Sequence, residues 1–217
     1  MKLLIVGATG AVGQKVLKLA LSDGMSSQEF SQVHVLSRKP IDDAAINAGA
    51  INHVANFDEL TGSEPCWQVD VVICALGTTL KQAGSKSRFF TIEHDYVMAV
   101  ARHAADGGAK HFLYVSSIGA NVDSKLSFYL ATKGLIEQHL QAIGFNGLTI
   151  LRPSLLEAKQ RPDTRVAESI GLWFNRHLGF ILPRGLRSIK VEKVAEGLLK
   201  RALIEGKRAN IVEVDDI

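Results

Sequence analysis

Four apolar residues, Leu3-Leu4-Ile5-Val6, run directly into Gly7-Ala8-Thr9-Gly10-Ala11-Val12-Gly13, and Val16-Leu17-Lys18-Leu19-Ala20-Leu21 follows. The first segment reads as a buried strand and the last as a helix packed on it. A glycine-rich turn between them constrains the chain more than any other feature. Its glycines let the backbone turn tightly, and free N–H groups at the helix start point at an anion. A strand, turn and helix of this kind cradle a dinucleotide pyrophosphate. The spacing is G-x-x-G-x-x-G rather than G-x-G-x-x-G, and turns of similar composition also occur without a ligand.

The rest of the chain repeats the alternation. Apolar, β-branched runs predict strands at Leu3–Val6, Val33–Ser37, Ile51–Ala55, Val69–Leu76, Phe112–Ser116, Leu148–Arg152 and Asn210–Val214. Helical spacing recurs over Phe90–Ala105, over Leu130–Ile143 and over Val191–Leu203. This pattern implies an α/β fold with a doubly wound parallel sheet covered on both faces. At 217 residues the chain is long enough for one such domain, and no linker divides it. The segment 155–188, with Pro162 and Pro183, is expected to form a small C-terminal cap over the ligand crevice. Trp173, Phe174 and Phe180 within it suit a substrate pocket, core packing or an interface equally.

Composition narrows the function classes. No apolar run approaches the ~20 residues of a membrane helix, and Met1–Val6 is too short for a signal-peptide core, so a cytoplasmic protein is expected. Cys66 and Cys74 read as buried thiols. The net charge of +3 is concentrated near the C-terminus, at Arg184, Arg187, Lys190, Lys193, Lys200, Arg201, Lys207 and Arg208. Without interleaved aromatic residues these cations read as a solvated face rather than a nucleic-acid surface. His94, His103, His111 and His139 have no metal-ligand spacing to one another. There is no G-x-x-x-x-G-K-[ST] loop to support phosphoryl transfer.

Two further constellations carry chemistry. Arg38 and Lys39 follow the second strand, where an acidic residue would accept hydrogen bonds from the ribose of NAD. Two cations there suit the 2′-phosphate of NADP(H) instead, and NAD(H) less well. Tyr129 and Lys133 lie one helical turn apart, downstream of Ser116-Ser117 at the end of the fifth strand. A phenol beside an ammonium is a proton donor for a carbonyl that receives hydride. The ammonium is expected to lower the phenol pKa toward operating pH. Strand alternation puts Ser116 and Ser117 on opposite faces, so only one can serve, and the spacing to Tyr129 together with the resemblance described next favours Ser117.

With Gly7–Gly13, Arg38, Ser117, Tyr129, Lys133 and Leu151-Arg152-Pro153 in place, the chain resembles an atypical short-chain dehydrogenase/reductase. Leu76-Gly77-Thr78-Thr79, Ala83-Gly84-Ser85-Lys86, His94-Asp95-Tyr96 and Lys110-His111-Phe112 resemble the Tat-interacting-protein type within that superfamily. The resemblance spans nearly the whole chain and implies a Rossmann fold and a Ser117–Tyr129–Lys133 catalytic set. It also implies that Gly7, Thr9, Gly10, Ala11, Val12, Gly13, Arg38, Lys39, Leu76, Gly77, Thr78, Tyr129, Lys133 and Pro153 line an NAD(P)-binding site. Where many such enzymes carry an Asn on the fourth helix, this chain has residues near Asp95. Two functions follow: an NADP(H)-dependent oxidoreductase acting on a small carbonyl or alcohol, or an NADPH-binding regulatory protein working through a protein partner. Either is expected as a monomer or homodimer.

Overall fold

Residues 1–22, 29–154, 156–157, 189–204 and 210–213 are described by the structure, a computed structural model. Each of the seven expected strands forms: β1 (Lys2–Val6), β2 (Gln32–Ser37), β3 (Ala50–Val54), β4 (Val71–Cys74), β5 (His111–Val115), β6 (Gly147–Arg152) and, last in the chain, β9 (Asn210–Glu213). All pair in parallel in the order β3-β2-β1-β4-β5-β6-β9. The order reverses between β1 and β4, and a crevice opens there at the carboxyl ends of the strands.

Alternation of side chains along each strand builds two cores. Leu3, Ile5, Val33, Val35, Ile73 and Leu113 face α1 (Ala11–Ala20) and the last helix described, Val191–Ala202. Leu4, Val6, Leu36, Val72, Phe112, Tyr114 and Ile150 face the other side. That side is covered by α5 (Tyr96–Asp106), through Val97, Val100, Ala101 and Ala104, and by α6 (Phe128–Ile143), through Ile136 and Leu140. Strands buried on both faces are why the sequence shows continuous apolar runs. Cys66 and Cys74 are buried free thiols, as expected, and burial pushes both up to about 12.

Three local features differ from expectation. β4 is shorter than Val69–Leu76, because the chain leaves the sheet after Cys74 to form the crevice wall. The helix expected over Phe90–Ala105 is broken into α4 (Lys86–Phe90), a π-helical turn over Thr91–Asp95, and α5. A short helix α3 (Leu80–Ala83) precedes it, and α2 (Asp43–Asn47) follows β2. Finally, Leu156–Glu157 (β7) pairs in parallel with Ile189–Lys190 (β8), so the ends of the expected cap segment lie side by side. Trp173, Phe174, Phe180 and the rest of residues 158–188 lie outside the described residues. On the helix at Val191–Ala202, here α7, Lys193, Glu196 and Lys200 are exposed opposite a buried apolar face.

Candidate active site

The glycine turn joins β1 to α1 at the crevice. Gly7 has φ +89°, and a Cβ there would stand 2.5 Å from the Ala75 carbonyl oxygen. A Cβ on Gly13 would stand 2.2 Å from the Gly7 oxygen. These two glycines are required by the protein's own packing. Gly10 is different. It is exposed, and a Cβ there meets only the Gly7 oxygen, at 3.3 Å. Its N–H donates to Gly7 O at 3.0 Å, and it N-caps α1 without a side-chain cap hydrogen bond from the described residues. Thr9, Gly10 and Ala11 are exposed, whereas Val12 is in the core. An open helix start without a first-turn acid fits an anionic diphosphate, an interaction worth about 0.3–1 kcal/mol at the helix terminus.

At the end of β2, Arg38 and Lys39 are exposed. Their turn is held by Ser37, whose hydroxyl donates to Lys39 O at 2.7 Å and accepts from Asn52 Nδ2 at 2.8 Å. Across the crevice edge, Asp58 accepts two hydrogen bonds from Arg88, at 2.7 and 3.0 Å, and one from the Tyr96 hydroxyl at 2.6 Å. These bonds, with a smaller contribution from Arg38, hold the Asp58 carboxyl down to about 2.

Beyond β5, Ser116 and Ser117 diverge. The Ser116 hydroxyl donates to Glu137, which is locked to Arg152 at 2.6 and 3.0 Å. The Ser117 hydroxyl donates to Ile118 O at 3.3 Å and is near enough to the Tyr129 phenol to pull its pKa down, so it is the serine beside the proposed proton donor. Tyr129 and Lys133 both project from α6, which Ser127 N-caps by accepting from Leu130 N–H. Lys133 Nζ lies 5.9 Å from the Tyr129 ring centre.

Two residues absent from the sequence reading complete this cluster. Lys133 Nζ donates to the Tyr114 hydroxyl at 2.8 Å and to Val115 O at 3.3 Å, and it lies 2.9 Å from Glu93 Oε2. Glu93 is 1% exposed, and its other oxygen accepts from the Thr78 N–H at 2.5 Å. Tyr114 was discoverable, since alternation in β5 puts it on the face that α6 covers. Glu93 was not, because it comes from the π-helical turn. Burial lowers the Lys133 pKa, but Glu93, Tyr114 and Tyr129 together drive it well above the ordinary value. The expected lowering of Tyr129 does not occur. Burial raises its pKa, and Glu93 acts in the same direction, against Lys133 and Ser117.

The remaining expected positions sit along the same rim. Leu76, Gly77 and Thr78 leave β4 over Glu93, and a Cβ on exposed Gly77 would be 3.4 Å from Glu93 Oε1. Pro153 is buried just after β6, and its carbonyl accepts from Ile118 N–H at 3.0 Å. His94 and His139, far apart in sequence, meet at 2.8 Å, with His94 also 2.8 Å from Asp95. Among the described residues, no three His, Cys, Asp or Glu side chains form a metal-binding group. No helix among them is long and apolar enough to cross a membrane. A separate polar cavity of about 440 Å³, lined by Glu64, Trp67, His103 and Asp106, lies at the opposite end of the sheet.

Comparison with known proteins agrees with this geometry. A family model described as NAD(P)H-binding matches residues 7–200. The protein HTATIP2 of Rattus norvegicus is 32% identical over 208 residues, covering 93% of this chain and 81% of the relative. The protein FMP52 of Debaryomyces hansenii, named as mitochondrial, is 33% identical over 171 residues, covering 78% and 73%. Among solved structures, MoeE5 in complex with UDP-glucose and NAD superposes with TM-score 0.73 at 14% identity, covering 99% of this chain and 76% of that one. ChuY, an anaerobillin reductase from Escherichia coli O157:H7, gives TM-score 0.67 at 17% identity, covering 98% and 96%. These two structures share the Rossmann fold. The chain belongs to the NAD(P)H-binding family, among the Tat-interacting-protein-like, atypical short-chain dehydrogenase/reductases.

Proposed function

We propose that the protein is an NADP(H)-dependent oxidoreductase that reduces a small carbonyl compound. The observation that carries this reading is the meeting of Ser117, Tyr129 and Lys133 at the carboxyl end of β5, beside an uncapped glycine turn. Gly7, Thr9, Gly10, Ala11, Val12 and Gly13 hold the diphosphate, Leu76, Gly77, Thr78 and Pro153 line the ribose and nicotinamide side, and Arg38 and Lys39 meet the 2′-phosphate. When bound, the dinucleotide supplies hydride to the carbonyl carbon. Tyr129 gives its phenolic proton to the carbonyl oxygen, and Ser117 donates a hydrogen bond to the same oxygen and orients it. Lys133 supports the phenol and the nicotinamide ribose. The cytoplasm supplies NADPH to a protein of this kind, and subcellular fractionation tests that compartment.

The test is a panel of aldehydes and ketones screened for NADPH oxidation. Turnover that depends on Tyr129 supports the reading. A second reading, an NADPH-binding regulator, draws on the exposed apolar side chains of Val122, Leu126 and Phe128 next to Tyr129. NADPH binding without turnover of any carbonyl, together with NADPH-dependent capture of a protein partner lost in Leu126→Asp, favours the regulator.

A further inference from the structure

An ammonium group has three protons to donate. Two oxygens accept from that of Lys133, the Tyr114 hydroxyl at 2.8 Å and Val115 O at 3.3 Å, and Glu93 Oε2 lies 2.9 Å away as its ion-pair partner. None belongs to Tyr129. Lys133 is 3% exposed and Glu93 1%, so water cannot take the place of these partners. Glu93 Oε2 has no hydrogen-bond partner besides that ion-pair contact. A buried carboxylate is tolerated only when paired, and here the pairing consumes the charge that a neighbouring phenol would otherwise feel. The π-helical turn, in which the Tyr96 N–H reaches back to Thr91 O, is what carries Glu93 inward. Wide turns of this type recur at functional sites.

We propose that Glu93 is a positioning residue that pairs with the Lys133 ammonium and neutralises it, so that the site stores its proton on Tyr129 and works as a carbonyl reductase, with alcohol oxidation confined to alkaline pH. The inference rests on the catalytic reading above for its direction, but the proton inventory belongs to the cofactor-free protein. Among the described residues, the groups facing Tyr129 include Ser117 beyond β5, Lys133 on its own helix, Glu93 on the π-helical turn and the Phe89 ring from α4. Those facing Lys133 are Glu93, Tyr114 and Tyr129, with Cys74 of β4 in its field. The Cys74 thiol is pushed up to about 12 and the Tyr114 phenol higher still, so both stay neutral. Lys133 and Glu93 are the charged pair, and they cancel. With the phenol protonated, reduction has its acid ready. Oxidation of an alcohol needs the phenolate as base and so must wait for high pH.

The experiment is a tyrosinate absorbance titration of the cofactor-free protein, which has three tyrosines, with Tyr129→Phe subtracted to isolate Tyr129. In the wild type, Tyr129 is expected to stay protonated up to the ordinary phenol value of about 10. In Glu93→Gln the unbalanced ammonium is expected to lower its midpoint by about one unit or more. In Glu93→Asp, which keeps the charge, the midpoint stays near that of the wild type, as a merely structural role for Glu93 would not require. Ionisation of wild-type Tyr129 below about pH 9 overturns the proposal, and so does an unchanged midpoint in folded Glu93→Gln. If Glu93→Gln does not fold, the wild-type titration still decides. A protein that turns over no carbonyl but shows the expected titration loses the catalytic reading and keeps the role of Glu93.

Discussion

Ser116 and Ser117 are adjacent in the chain and belong to different machinery. Ser116 closes the Glu137–Arg152 network, and Ser117 acts on the Tyr129 phenol, pulling its pKa down. Removing only the phenolic oxygen therefore isolates proton transfer. Tyr129→Phe is expected to lower carbonyl turnover by about 10²-fold or more, since general acid catalysis contributes roughly 10²–10⁴-fold. NADPH affinity, measured by fluorescence titration, stays within about twofold of the wild type on this assignment, because the ring still packs on Phe89. Wild-type turnover in the variant contradicts the assignment of Tyr129. Arg38 is exposed at the end of β2, and the nearby carboxylate of Asp58 is occupied by Arg88 and Tyr96. A charge-assisted contact to a 2′-phosphate is worth about 1.5–3 kcal/mol, so NADPH is expected to bind at least about tenfold more tightly than NADH. Arg38→Ala removes most of that preference. Equal affinities in the wild type refute the assignment of Arg38 and Lys39.

Within the elements, the glycine turn divides into two kinds of position. Gly13→Ala forces a Cβ against the Gly7 carbonyl and separates α1 from β1. Overpacking of this kind costs about 1–3 kcal/mol, so its denaturant midpoint should fall clearly, with or without cofactor. Gly10→Val meets only one contact at 3.3 Å from its Cβ, so the sheet is expected to remain folded while NADPH affinity is lost to the side chain filling the anion's approach. Circular dichroism paired with a cofactor titration separates the two. Retained affinity in folded Gly10→Val means that this turn is only structural. The π-helical turn at Thr91–Asp95 teaches the opposite lesson about legibility. Residues 90–105 carry a helical apolar pattern throughout, and one wide turn changes which residues face inward without changing that pattern.

Across the whole molecule, three histidines tie stability to pH. His34 Nδ1 and His53 Nε2 share a hydrogen bond of 2.9 Å between neighbouring strands β2 and β3, and His111 is buried against Thr149 Oγ1 at 2.9 Å. Burial lowers the pKa of each, and for His34 the charges of His53 and Lys2 add to the effect. The folded state thus binds these protons less readily than the unfolded chain, whose histidines titrate near 6.5. As pH falls through that value, protons bind the unfolded chain first and stability drops. Denaturant midpoints are expected to decline between about pH 7 and pH 5, and His111→Gln to flatten part of that decline. A constant midpoint over this range contradicts the buried, neutral state of these rings.

The sequence by itself determined the seven strands, their parallel pairing, and the glycine turn. Each follows from local patterning: apolar runs buried on both faces, a helical period, and glycines where the backbone must crowd. It also brought Ser117, Tyr129 and Lys133 forward, because strand ends and a one-turn helical spacing predict their neighbourhood. Only the tertiary structure decided the partners of Lys133. Glu93 comes from the π-helical turn, whereas Tyr114 and Val115 O come from the end of β5. The same is true of His94 against His139, and of Arg88 and Tyr96 around Asp58. Electrostatic balance inside a low-dielectric crevice depends on distances between segments remote in sequence, and the proton on Tyr129 is decided there.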